Sequence, residues 1–118
     1  MNNRDEIVLK KIIGYCKEIE ETHAYFHCDE ELFTDKEKGF VYRNSITMPI
    51  LQIGELAKLL SSEVREQTSI IPWKEVCGMR DVFAHHYGSI DYAIVWKTSR
   101  EDIDFLKVNL EKLWASER

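Results

Sequence analysis

Several large classes of protein need features this chain does not have. No apolar run approaches the ~18 residues of a membrane-spanning helix, so no membrane association is expected. The opening Met1-Asn2-Asn3-Arg4-Asp5-Glu6 carries acids where a secretory signal has a basic and then an apolar stretch. Cysteine is scarce: Cys16, Cys28 and Cys77 are odd in number and in no paired spacing. That pattern argues against a disulfide framework and for reduced thiols in the cytoplasm. Sustained alternation of β-branched and polar residues is missing, as are an Asn-Gly hairpin turn, an internal repeat and any low-complexity tract. A basic excess is missing too. The formal charge of −5 disfavours a general electrostatic nucleic-acid binder, so a nucleic acid would have to be held by a local patch or a dimer groove.

What the chain does have is enough apolar material for one core. Its 118 residues are 44% hydrophobic and 31% charged, a balance that folds and stays soluble, and the length suits a single domain over 1–118. From Arg4 to about Thr22, Val8, Ile12, Tyr15 and Ile19 recur at helical steps. Thr34-Asp35-Lys36-Glu37 reads as a capping box, in which the hydroxyl and the carboxylate satisfy backbone N–H groups at the start of a second long helix. That helix is expected to run to about Ser61 and to bury Val41, Ser45, Met48, Leu51, Gly54 or Glu55, Leu56, Leu59 and Leu60. Pro49 should kink it, and Gly54 should permit close helix packing.

Ser62 to Ser69 reads as a short helix or polar linker. Pro72 opens a third long helix that runs to His86, with Gly88 as a left-handed cap. Ile90 to Thr98 supplies a short helical turn. Ser99 then caps a last helix, whose stripe of Ile103, Leu106, Leu110, Leu113 and Trp114 is the clearest periodicity in the chain. The expected fold is all-α, an antiparallel bundle of four or five helices.

Chemistry concentrates in Gly78-Met79-Arg80-Asp81-Val82-Phe83-Ala84-His85-His86-Tyr87. RNA cleavage without a metal needs a group near neutral pKa to move protons and a cation to stabilise charge on phosphorus. Histidine and arginine suit those roles. On a regular helix Arg80 and His85 stand about 140° apart, so either the helix distorts or two copies share a cleft across a two-fold axis. The shared cleft is the favoured reading.

The order Arg80, four residues, His85, one residue, Tyr87 resembles the signature of the HepT-like branch of the HEPN families. Ile53-Gly54-Glu55-Leu56-Ala57, Ile71-Pro72-Trp73 and Val95-Trp96 resemble further family segments in the same order. The resemblance covers roughly residues 30–114. It implies a HEPN-type bundle, commonly homodimeric, that acts as a ribonuclease toxin on RNA such as tRNA in a type VII-like toxin–antitoxin system. It also implies a minimal nucleotidyltransferase antitoxin that transfers AMP from ATP to the motif tyrosine. Carried onto this chain, Arg80 and His85 are catalytic, Asp81 orients Arg80, and Tyr87 is the modification site. No cofactor and no metal are implied. Pro49, Leu56 and the extra His86 depart from the family pattern, and His86 leaves open which imidazole does the chemistry. The alternative is a non-catalytic helical module that binds a nucleotidyltransferase partner.

Lys74, His86, Lys97 and Arg100 are candidate RNA contacts by their place near the motif. Glu55 reads equally as a buried partner for Arg80 or for a histidine and as a residue that points to solvent. His23, His27 and Cys28 read as a surface cluster rather than a zinc site, since no fourth ligand is evident. Trp73, Trp96 and Trp114 are assigned to packing.

Overall fold

The structure, a computed structural model, describes residues 1–86 and 91–117, without the side chains of residues 84–86. Four long helices form the bundle: α1 (Asn3–Tyr25), α3 (Phe40–Ala57), α5 (Trp73–His86) and α7 (Ile103–Ser116). Three short ones, α2 (Glu30–Thr34), α4 (Ser62–Gln67) and α6 (Tyr92–Lys97), connect them, and a π-helical turn, Thr98–Asp102, leads into α7. No strand occurs among the described residues. The expected Gly88 cap and the start of the Ile90 segment lie outside the described residues.

Side-chain contacts fix the direction of packing. Asp5, at the start of α1, accepts hydrogen bonds from the backbone N–H and hydroxyl of Ser61, just beyond α3 (2.9 and 2.7 Å). At the other end of α1, His23 meets Tyr42 in the first turn of α3. The two helices are therefore antiparallel. Lys107–Glu20 (2.5 Å) and Lys17–Glu111 (4.0 Å) set α7 antiparallel to α1 in the same way. Leu9, Ile12, Cys16 and Ile19 of α1, Ile46, Ile50 and Ile53 of α3, and Leu106 and Leu110 of α7 are almost wholly withdrawn from solvent.

Four sequence expectations are corrected. The Thr34-x-x-Glu37 capping box does not form. The Thr34 hydroxyl bonds back to Glu30 O (2.9 Å) inside α2, and it is Asp35 that turns the chain by accepting from the N–H groups of Glu37 and Lys38 (2.9 and 2.8 Å). Those bonds stabilise the Asp35 carboxylate and hold its pKa below the ordinary value. Helix α3 begins only at Phe40, behind Gly39.

Most of its buried stripe is displaced as well. Gly54 and Leu60 are buried as expected, but Tyr42, Ile46, Ile50, Ile53 and Ala57 make up the rest of the inward face, whereas Val41, Met48 and Leu59 are 52%, 58% and 44% exposed. Two apolar stripes of equal periodicity run along this segment, and the one rich in isoleucine packs on α1. The helix is continuous across Pro49.

Ser99 is not a helix cap but is buried in the π-helical turn, and His23 is not at the surface. Ser99 Oγ donates its single proton to Trp96 O (2.8 Å), so it must accept from His23 Nε2–H (2.9 Å). His23 Nδ1 is then bare and accepts the Tyr42 hydroxyl (2.5 Å). Phe33 and Trp96 pack against the same imidazole. His27 and Cys28, exposed and left-handed (φ 57 and 50), carry the chain away from α1.

Arg43 ties the short α2 to α3. Its buried guanidinium donates to Phe33 O (2.7 Å) in the last turn of α2 and to Asp35 O (2.6 Å) and Lys36 O (3.4 Å) in the turn that follows, and lies 3.9 Å from the ring centre of Tyr92 in α6. A side chain on Gly39 would collide with Arg43 and with Leu32 O, so the glycine is needed for the close turn.

Burial first, and then Arg100, push the His23 pKa down to about 4. The unfolded chain therefore binds a proton from about pH 6.5 downward that the folded chain refuses until about pH 4. Stability should be full above pH 6.5 and fall by roughly 3 kcal/mol as pH drops through that window. Urea unfolding of the parent and of His23→Gln checks this. The variant keeps a donor and an acceptor but cannot titrate, and an equally steep decline in both would sink the assignment.

Candidate functional site

Helix α5 presents its chemistry where it crosses α3. A Cβ added to Gly54 would lie 2.8 Å from Arg80 N and 2.9 Å from Arg80 Cβ, so the backbones touch there and only glycine fits. Val76 and Phe83 turn the same helix toward the core. The Arg80 side chain emerges beside the last turns of α3, 37% exposed.

Four alternating charges surround that crossing. Glu55 Oε2 is 3.9 Å from Arg80 Nε, and Asp81 Oδ1 is 3.9 Å from Arg80 Nη1. Both gaps exceed a hydrogen bond. Lys58 Nζ reaches Glu55 Oε2 at 3.2 Å and Asp81 Oδ1 at 3.8 Å. Of the two fates considered for Glu55, the structure gives the second: it faces solvent, and it approaches Arg80 only loosely rather than as a buried partner. The sequence reading passed over Lys58, although its i, i+3 spacing from Glu55 is a recognised helix pair.

The structure brings Arg80 and Asp81 together and leaves Lys74 exposed on α5. The His85 and His86 side chains and the whole of Tyr87 lie outside the described residues. Lys97 and Arg100 are exposed. Arg100 lies close enough to His23 and Tyr42 to perturb both, and Tyr42 is about 18 Å along α3 from Gly54. A single chain therefore does not gather Arg100 with Arg80.

Grooves elsewhere carry different chemistry. One of about 350 Å³ runs between α5 and the π-helical turn, lined by Val76, Met79, Val82 and Phe83 with Glu75 and Asp102 as its charges, a lining unsuited to phosphate. Among the described residues, no three His, Cys, Asp or Glu side chains converge as a metal site, and no helix is long and apolar enough to cross a membrane.

The sequence that builds this all-helical domain, with its half-exposed arginine seated on a glycine, is similar to known proteins. The family described as "Ribonuclease HepT-like" matches residues 12–113, and the chain belongs to that HepT-like family. It is 32% identical over 97 residues to "Putative RNase TTE0752" of Caldanaerobacter subterraneus subsp. tengcongensis, covering 75% of this chain and 87% of that protein. It is 35% identical over 86 residues to "Probable ribonuclease HepT" of Thermococcus cleftensis, covering 73% and 74% respectively. No solved structure gives a significant match.

Gly54→Ala should cost about 1–3 kcal/mol, because the new methyl pushes on backbone rather than on a movable side chain. Gly14→Ala, where a Cβ meets nothing within 4 Å, should instead stabilise by up to about 1 kcal/mol. Urea denaturation of both variants checks the pair, and equal effects would mean that the α3–α5 approach does not depend on glycine.

Proposed function

We propose that this chain is a cytoplasmic, metal-independent endoribonuclease toxin that acts on RNA such as tRNA. The observation that carries the reading is the Arg80 guanidinium: fixed by its backbone on Gly54, half-exposed, and flanked by carboxylates too distant to consume its donors. A cation so held suits the charge that develops on a phosphate under attack. In the proposed step the ribose 2′-oxygen attacks phosphorus and gives its proton to a base. The 5′-oxygen leaves with a proton from an acid, and the products are a 2′,3′-cyclic phosphate and a 5′-hydroxyl. His85 is the acid or base, and Asp81 orients Arg80.

Two copies complete the site in this reading. The stripe Val41, Met48 and Leu59 leaves large apolar side chains in solvent along α3 and just beyond its end and runs past Glu55 toward Arg80, so a second copy laid along it would bring a partner's α5 near the same cleft. Arg80 and His85, on different faces of one regular helix, can then meet across the two-fold axis.

Purified protein should cleave total tRNA in EDTA and leave cyclic phosphate ends. Arg80→Ala should lower the rate about 10²–10³-fold and His85→Ala about 10²–10⁴-fold. Mixing the two inactive proteins should restore cleavage if the cleft is shared, because a mixed dimer keeps one intact site. Intact RNA from the parent protein would abandon the nuclease for a module that binds a nucleotidyltransferase.

Tyr87 is the proposed target of a nucleotidyltransferase antitoxin, which would add AMP from ATP. Each linking phosphate brings about −1 charge beside the cleft and repels RNA. Incubation with ATP and that partner should raise the intact mass by whole adenylate units. A Tyr87→Phe protein that gains the same mass would place the modification elsewhere.

A further inference from the structure

Two carboxylates beside a half-exposed guanidinium would ordinarily close on it. Arginine pairs with a carboxylate through two parallel hydrogen bonds, the strongest arrangement open to either group. Here neither Glu55 nor Asp81 does so: each stands 3.9 Å from the nearest Arg80 nitrogen. The same carboxylate oxygens are shared with Lys58. Glu55 Oε2 is nearer to Lys58 Nζ (3.2 Å) than to Arg80 Nε (3.9 Å), and Asp81 Oδ1 is 3.8 Å from Lys58 Nζ.

We propose that Lys58 is a positioning residue that holds Glu55 and Asp81 off Arg80, keeping the guanidinium open to an RNA phosphate. The inference rests on the ribonuclease reading for its purpose but not for its geometry. Lysine suits the task, because its ammonium is a compact charge with three rotatable donors and can serve two carboxylates from one point. Its position suits it too. Lys58 follows the last residue of α3, where the helix dipole favours a cation, and the glycine contact at residue 54 brings that end of α3 against Arg80.

Because all four side chains are between 37% and 61% exposed, these pairs add little to stability, and removing Lys58 should leave the fold intact. What changes is competition. Without the ammonium, Glu55 and Asp81 close on Arg80, and a phosphate must displace them before it can bind.

The test compares the parent, Lys58→Met, Lys58→Arg, Glu55→Gln and the double variant Lys58→Met/Glu55→Gln, by tRNA cleavage and by the Arg80 Nε–Hε resonance in protein free of RNA. Lys58→Met should lower kcat/KM about tenfold, the equivalent of one charge-assisted hydrogen bond, and should shift the Arg80 resonance and slow its exchange with water. Lys58→Arg should retain most activity. The double variant should recover to within about threefold of Glu55→Gln alone. A double variant as impaired as Lys58→Met, with its Arg80 resonance back at the Glu55→Gln position so that Asp81 has not closed in its turn, would show that Lys58 contacts RNA itself and overturn the proposal. Unchanged cleavage and an unmoved Arg80 resonance in Lys58→Met would overturn it as well. If the parent cleaves no RNA but the resonance still moves, the nuclease reading fails while the role of Lys58 stands.

Discussion

The backbone of α5 at Arg80 rests directly on Gly54, and most of what matters in this protein depends on that contact. Helices that meet through side chains stand 8–10 Å apart. At Gly54 no side chain separates them, since even one carbon would fall within 3 Å of Arg80 N and Cβ. The approach brings residues 55 and 58 of one helix level with 80 and 81 of the other, and so creates a four-charge cluster from residues that a longer contact would leave apart. The site is thus a by-product of packing: the glycine sets the distance, and the charges follow.

Two buried polar knots at the opposite end of α3 give that crossing something rigid to stand on. In one, Tyr42, His23, Ser99 and Trp96 O form a chain in which every donor has one acceptor, joining α1, α3 and the π-helical turn. In the other, Arg43 holds the open end of α2 and stacks on Tyr92. Buried polar groups are costly unless satisfied, and Arg43 Nε remains unpaired. The guanidinium offsets part of that cost through three backbone carbonyls and an aromatic face. Both knots also engage α6, one through Trp96 O and the other through the ring of Tyr92.

The helices were legible because each long one carries an unbroken 3.6-residue apolar period, and for α7 the stripe itself was right. On α3 it was not: Val41, Met48 and Leu59 recur as regularly as Ile46, Ile50, Ile53 and Ala57, and periodicity cannot choose between two stripes of one helix. Contacts with α1 made the choice. Thr34 failed as a cap for a similar reason, since the neighbouring Asp35 took the N–H groups and the Thr34 hydroxyl found the Glu30 carbonyl behind it. The hidden His23 was unreadable because its partners, Tyr42 and Ser99, are 19 and 76 residues away. At the site, the density of Arg80, Asp81 and the histidines in a short span was visible. Lys58 was not, because its meaning comes entirely from the approach at Gly54.

The charge balance of the site bears on how such a protein could handle RNA. Proteins that bind nucleic acid by charge alone carry a basic face and lose affinity steeply with salt. This chain has a net charge of −5, and the cluster at Arg80 is neutral, two cations against two carboxylates. A phosphate arriving there meets no strong field at a distance and is drawn only at contact, by the donors of Arg80 that neither carboxylate takes up. Such a cluster discriminates by fit: a phosphate has to reach the open guanidinium itself, because the net field around it neither gathers nor holds one that merely passes. The same neutrality makes the site sensitive to a single added anion, because one more negative charge tips a balanced cluster where it would scarcely disturb a strongly basic one.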